Sequence, residues 1–179
     1  MPIGEALETI EFSVLGEPSP EGSTRAFYIK KINKAVVTHS NQSNLEAWRN
    51  RVATEAQRAL EGSSWISDSS SAYALDVDFY LTRPPSVQPH KRLHPIVKPD
   101  LDKFIRAIND ALTGILFSDD CQVVALNITK TYDDHLRPGA HIKAYRYANT
   151  CEKPKKIKKE EVNAGPLDEF EGEFEDPRD

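Results

Sequence analysis

The 179-residue sequence has little cysteine, no long apolar run and no secretion signal at its start. Its two cysteines, Cys121 and Cys151, are too few for a disulfide framework. No stretch approaches the roughly 18 consecutive apolar residues of a membrane-spanning helix. The first residues, MPIGEALETIEF, lack the basic region that precedes the apolar core of a signal peptide. These absences argue against a disulfide-rich secreted domain and an integral membrane protein, and we expect a cytoplasmic protein.

The chain also lacks an excess of basic residues. It has 23 Lys and Arg against 28 Asp and Glu, a net charge of -5, whereas nucleic-acid-binding domains are usually basic. Residues 149–179 hold 10 of the acidic and 6 of the basic residues, so the first 148 residues carry a net charge of only -1. A DNA-binding surface would therefore have to come from local patterns of charge.

Composition divides the chain into a folded part, residues 1–148, and a charged tail, residues 149–179. The tail combines the basic run KPKKIKK with the acidic end LDEFEGEFEDPRD. Neither segment has the apolar pattern that builds a core. We therefore predict one domain followed by a disordered tail.

Hydrophobic periodicity predicts an α+β fold for residues 1–148. Residues with alternating polarity indicate strands. A capping box at Ser43 to Glu46 indicates the start of a helix, which continues with an apolar stripe. Trp48 lies on that stripe, so we expect it in the core. This order of elements suits a mixed β-sheet with helices packed on one face. The predicted elements are a strand at 10–14, a hairpin at 26–38, helices at 43–60 and 101–112, and strands at 75–81, 124–132 and 141–147.

Two pairs of aspartates flank the second predicted helix. Pro99 prevents this helix from extending backwards, which makes Asp100 a natural N-cap with Asp102 close behind. If the chain returns after Gly114, Asp120 would lie beside Asp100 and Asp102, and three converging carboxylates suit Mg²⁺. The alternative is that these aspartates only cap a helix and a turn. The spacing alone leaves both interpretations open.

A basic segment without acidic residues precedes the first aspartate pair. It contains two histidines, His90 and His94, but no cysteine or further histidine is near enough in sequence to favour zinc. A flexible basic loop leading into an acidic metal site suits a phosphodiesterase, since the loop holds phosphates beside the metal. The basic residues of this loop are Arg83, Lys91, Arg92 and Lys98.

The hairpin near the N-terminus offers further cations. Arg25 precedes it, and Lys30 and Lys31 lie near its predicted tip. These side chains are candidate phosphate contacts. A solvent-facing turn arginine and a basic, soluble strand edge are the alternative explanations.

The segment KPDLDKFIR (residues 98–106), followed by DALTG, DDCQVV and Lys130, resembles the signature of the RusA family of Holliday-junction resolvases. The resemblance is dense over residues 98–132 and weaker over FSVLGEPSPEGSTR, residues 12–25. It implies that Asp100, Asp102 and Asp120 bind the metal, with Mg²⁺ as the cofactor and Mn²⁺ as a possible substitute. It also adds Lys130 to the predicted DNA contacts.

Two positions depart from the family's pattern. Arg106 stands where better-known members carry a catalytic lysine, and Lys103 stands where they often carry asparagine. Arginine stabilises a developing oxyanion, but it remains protonated and does not serve as a general base.

The resemblance implies a RusA-like homodimer that cuts four-way junctions by symmetric nicks. A two-fold dimer matches the pseudo-two-fold geometry of such a junction. Two alternatives remain open. One is a binding module for branched DNA that keeps the fold without turnover, which Arg106 and Lys103 would favour. The other is a structural domain whose aspartates act only as caps.

Overall fold

The computed structural model describes residues 4–22, 24–29, 34–39, 42–135 and 137–149, with the backbone alone described for 24–29 and 34–39. Its elements confirm the predicted α+β order. They are β1 (Glu8–Leu15), β2 (Thr24–Ile29), β3 (Lys34–His39), α1 (Gln42–Leu60), β4 (Ala72–Thr82), α2 (Leu101–Leu112), a 3-10 turn (Asp120–Gln122), β5 (Val123–Asp133) and β6 (Gly139–Tyr147).

Four strands form a mixed sheet in the order β1-β6-β4-β5, and β2 pairs with β3 in a separate hairpin. β4 and β5 are parallel, whereas β6 is antiparallel to both β1 and β4. A parallel pair needs a crossover connection, and residues 83–122, including α2, provide it. The chain therefore runs back along α2 from the end of β4 to the beginning of β5.

Both helices pack on one face of this sheet. On β4, Leu75, Val77 and Phe79 alternate with the more exposed Asp76 and Asp78, as expected for a strand with one buried face. The ring of Phe79 lies 5.2 Å from the ring of Phe104 on α2, measured between centroids. The core residues of the helices are Leu45, Trp48, Val52 and Ala56 on α1, and Phe104, Ile105, Ala107, Ile108, Ala111 and Leu112 on α2.

The apolar stripe of α1 is as predicted, and Trp48 is fully buried. The predicted start of this helix is wrong by at least one residue, because α1 already includes Gln42. Glu46 accepts a 2.9 Å hydrogen bond from the Gln42 side chain. Ser43 therefore lies within the helix and is not its N-cap.

Candidate active site

Asp100 lies at the N-cap of α2 with an extended backbone (φ -74°, ψ 148°). Its position is as predicted, but its carboxylate makes no capping hydrogen bond within the described residues. The side chain is 54% exposed, and the Lys103 ammonium is 3.6 Å from it. Helix capping therefore explains where Asp100 lies but leaves the carboxylate oxygens accessible to a ligand.

Asp102 and Arg106 lie one turn apart on the exposed side of α2. The nearest guanidinium nitrogen is 4.0 Å from the Asp102 carboxylate. An exposed pair at this separation contributes at most a few tenths of a kcal/mol. Both side chains thus remain accessible to solvent beside Asp100.

Lys130 on β5 holds the segment immediately before Asp100. Its ammonium donates hydrogen bonds to the main-chain carbonyls of Val97, at 3.1 Å, and Pro99, at 2.8 Å. These bonds tie the start of α2 to the sheet. The structure thus uses Lys130, a predicted DNA contact, to position the aspartates.

The basic loop, residues 83–98, is anchored at its beginning by Arg83. The Arg83 guanidinium donates to Asp134 at 2.6 Å and to the carbonyl of Arg92 at 2.5 Å, and it stacks 4.3 Å above the Tyr132 ring. The Arg83 side chain is only 10% exposed, and its hydrogen bonds lower the pKa of the Asp134 carboxyl. Hydrogen bonds therefore anchor the basic loop at both ends, since Lys130 secures the other end.

The remaining cations of the loop differ in exposure. Arg92 is half-buried, with its guanidinium 5.9 Å from the centre of the Tyr132 ring. Lys91 and Lys98 are exposed, as are His90 and His94. Among the predicted DNA contacts in this loop, Lys91 and Lys98 are therefore the most accessible to a phosphate.

The second pair of aspartates forms a rigid turn. The Asp119 carboxylate accepts a 2.9 Å hydrogen bond from the main-chain N–H of Cys121, and hydrogen bonds from the Cys121 thiol and main chain lower the pKa of Asp119. Asp119 caps the 3-10 turn, and the neighbouring Asp120 is exposed. The capping explanation therefore holds for Asp119.

Asp120 lies at the opposite end of α2 from Asp100. The chain turns at Gly114 (φ 78°) as predicted, but the 12 residues of α2 separate its ends by roughly 18 Å. Lys130 contacts Pro99, which precedes Asp100. At the usual rise per residue, Lys130 lies about 23 Å along β5 from Val123, which follows the turn that contains Asp120. Both estimates contradict the expected convergence of the three aspartates within one chain. Across the described part of the chain, no three His, Cys, Asp or Glu side chains are grouped to hold a metal.

Sequence reasoning missed an ion-pair cluster behind the site. Arg49 on α1 contacts Asp110 on α2 and lies 3.3 Å from Glu21, in the segment after β1. The main-chain N–H of Glu21 donates a 3.0 Å hydrogen bond to the carbonyl of Lys103. This cluster holds the proline-containing segment against the first turn of α2. The partners are far apart in sequence, so no local pattern indicated it.

Of the other predicted DNA contacts, the structure describes only the backbone of Arg25. Arg25 is in β2, where its backbone pairs with Thr38. Lys30 and Lys31 lie outside the described residues, as do residues 150–179 of the predicted tail. None of the helices in the described ranges has the length and hydropathy needed to cross a membrane.

Comparison with known proteins places these features in a family. The family model for endodeoxyribonuclease RusA matches residues 17–145, which includes both aspartate pairs and Lys130. The chain belongs to the RusA family. Membership in the RusA family implies an endodeoxyribonuclease, a hydrolase that acts on Holliday junctions, and RusA resolvases depend on a divalent metal.

A curated relative aligns with most of the chain. The chain is 28% identical over 140 residues to the uncharacterized protein YqaN of Bacillus subtilis (strain 168). The alignment spans 73% of this chain and 93% of the relative. The match to the family model confirms the resemblance of the motifs to the RusA family.

Proposed function

We propose that this protein is a Mg²⁺-dependent, structure-selective endodeoxyribonuclease that resolves four-way DNA junctions by paired symmetric nicks. The observation that carries the proposal is the exposed pair Asp100 and Asp102 at the start of α2, in a chain of the RusA family. Capping does not engage the Asp100 carboxylate among the described residues. The exposed Lys91 and Lys98 lie on the adjoining loop, where they would hold phosphates.

The aspartates at the two ends of α2 have the donor type that suits a hard divalent cation. Asp100, Asp102 and Asp120 offer carboxylate oxygens, the ligand type that Mg²⁺ prefers, and Mn²⁺ accepts the same donors. The chemistry that such a cation supplies is activation of water and neutralisation of charge on the phosphate. Arg106 would stabilise the negative charge that develops on the scissile phosphate. Lys98 would orient the DNA strand that contains this phosphate.

The distance between Asp100 and Asp120 leads us to propose that each metal site is built from two subunits. One chain would contribute Asp100 and Asp102, and the other would contribute Asp120. A two-fold axis crossing α2 near its middle would place the start of α2 in one subunit beside the end of α2 in the other. The same axis would generate two equivalent sites, which suits paired nicks in a two-fold substrate.

An apolar edge beside α2 supports this dimer. β5 is an edge strand of the sheet, and its Val124 and Leu126 are 56% and 44% exposed. Exposed apolar side chains on a long edge strand invite association with another chain. A second copy of the protein would cover Val124 and Leu126 while it brings the two ends of α2 together.

The test is cleavage of a labelled four-way junction and of the matching linear duplex, with Mg²⁺, Mn²⁺ or EDTA. We expect paired nicks in the junction alone, abolished by EDTA and by Asp102→Asn. Asp78→Asn is a matched control, because Asp78 lies on the opposite face of the sheet and its replacement still offers an acceptor to Thr129. Wild-type cleavage by Asp102→Asn would refute the site.

A binding module without turnover is the second candidate. It is favoured by the basic side chains beside the first two aspartates. Lys103 lies 3.6 Å from Asp100, and Arg106 lies 4.0 Å from Asp102. Tight junction binding without cutting in either metal would establish this second function. Arg106→Lys would then show whether the guanidinium is the cause.

A further inference from the structure

The side-chain amide of Gln122 joins two segments of the chain. Its oxygen accepts hydrogen bonds from the main-chain N–H groups of Ser118, at 3.0 Å, and Asp119, at 3.1 Å. Its nitrogen donates to the main-chain carbonyls of Asp68, at 2.7 Å, and Ser71, at 3.0 Å. A primary amide has two donors and two acceptor positions. All four are used here, which leaves Gln122 one orientation.

One of these segments is the acidic turn, residues 118–122, which presents Asp120. Asp119 caps this turn from within, and the Gln122 side chain returns to the main chain of Asp119. The internal hydrogen bonds set the shape of the turn. The two N–H donors of Gln122 add hydrogen bonds that join the turn to the neighbouring segment.

The other segment is the serine-rich segment, residues 67–71, which Asp68 makes rigid. The Asp68 carboxylate accepts hydrogen bonds from the main-chain N–H groups and hydroxyls of Ser70 and Ser71, all between 2.6 and 2.8 Å. These bonds lower the pKa of Asp68 to about 2, so the carboxylate is charged at neutral pH. The Arg146 guanidinium on β6 lies 3.8 Å away, which ties the segment to the centre of the sheet.

Aromatic side chains hold the approach to the acidic turn against the same region. The indole N–H of Trp65 donates a 2.8 Å hydrogen bond to the carbonyl of Leu116. The ring of Tyr73 lies 5.8 Å from the rings of both Trp65 and Phe117, between centroids. The acidic turn is therefore supported from behind by a packed, hydrogen-bonded platform.

We propose that Gln122 is a positioning residue, which fixes the acidic turn on the serine-rich segment so that Asp120 reaches the metal in one orientation. This inference rests on the proposed function, because it assigns Asp120 to the metal site. Outer hydrogen bonds that orient a ligand are typically worth 10- to 100-fold in metal affinity or activity. A carboxylate on an unsupported turn would sample positions too far from the productive geometry, which tolerates only about 0.5 Å.

Two substitutions test this role. Gln122→Met removes all four hydrogen bonds at similar volume, and Gln122→Glu keeps the two acceptor bonds but places a carboxylate against the carbonyls of Asp68 and Ser71. Gln57→Met is the matched control, because Gln57 is exposed on α1. The measurements are Mn²⁺ affinity by titration, the Mg²⁺ concentration for half-maximal junction cleavage, and hydrogen exchange of the Ser118 and Asp119 amides in metal-free protein.

We expect both Gln122 variants to bind Mn²⁺ about 10-fold more weakly or worse, and to need correspondingly more Mg²⁺. Gln122→Met should also exchange the Ser118 and Asp119 amides faster, whereas junction binding without metal stays at the wild-type level. Wild-type metal affinity in both variants would overturn the inference while leaving the proposed function intact. If Gln122→Met fails to unfold cooperatively, Gln122→Glu decides the question alone. A wild-type protein that neither binds Mn²⁺ nor cuts the junction would overturn the proposed function and this inference together.

Discussion

The Lys130 ammonium donates a 2.8 Å hydrogen bond to the main-chain carbonyl of Pro99, the residue immediately before Asp100. One side chain of the sheet thereby fixes the start of α2. Lys130 therefore has a structural role, as does Arg83 at the beginning of the basic loop. A basic residue close to a nuclease site is therefore not necessarily a contact to DNA.

Replacement of Lys130 by Met should reduce cleavage more than it reduces DNA binding. The variant loses both bonds to the segment before Asp100, so the aspartates are held less firmly, and outer-shell losses of this kind reduce activity about 10- to 100-fold. The check is single-turnover cleavage at saturating protein, beside junction affinity without metal. A loss confined to affinity would show that Lys130 contacts DNA instead.

Replacement of Lys91 by Met should reduce DNA binding more than it reduces cleavage. Lys91 is exposed on the basic loop, so its loss should weaken junction binding and reduce the slope of log affinity against log salt by about 1. Cleavage at saturating protein should stay near the wild-type rate. An unchanged salt dependence would remove Lys91 from the DNA surface.

Leu126→Asp should convert the protein to a monomer and abolish metal-dependent cleavage. A carboxylate on the apolar edge of β5 would be buried without a partner in the proposed dimer, which is unfavourable. Leu15→Asp is the control, because Leu15 lies on the opposite edge strand, β1, and is 68% exposed. Sedimentation velocity gives the oligomeric state. A Leu126→Asp variant that remains dimeric would place the interface elsewhere.

Asp68 should make the fold sensitive to acid. The pKa of Asp68 is lowered from its reference value of 3.8 to about 2 in the folded protein. Its stabilising contribution is therefore complete above pH 3.8 and is lost as the pH falls through about 2. Asp68→Asn should be less stable than the wild type at pH 6, and the two proteins should converge near pH 2. Equal differences in thermal midpoint at both pH values would contradict this role.

Much of the fold follows from periodicity. The stripe that predicted α2 is the stripe that packs on β4. Asp100 is the N-cap of that helix, as predicted from Pro99, which disfavours the helical conformation at Lys98. The alternation in β4 likewise separates Val77 and Phe79, which are buried, from Asp76 and Asp78. Burial against a single core is strong enough to leave such a pattern in the sequence.

The site was harder to predict for physical reasons. Motif spacing indicates that the chain turns at Gly114, but the ends of the straight helix α2 are roughly 18 Å apart. The second subunit that we propose leaves no signal in a single sequence. Gln122 and Lys130 bind main-chain carbonyls, which any residue type can provide. Arg49 and Asp110 pair across 61 positions, far beyond any local pattern.

The most direct test of a metal site shared between two subunits is complementation between inactive variants. Asp100→Asn and Asp120→Asn proteins would be mixed under conditions that allow subunit exchange, and junction cleavage with Mg²⁺ would be measured. If the site is shared, each mixed dimer contains one intact site, and the mixture should regain cleavage as single nicks. A mixture of Asp100→Asn with Asp102→Asn should stay inactive, since every site then lacks a ligand. Failure of the first mixture to cut, with subunit exchange verified, would contradict the shared site.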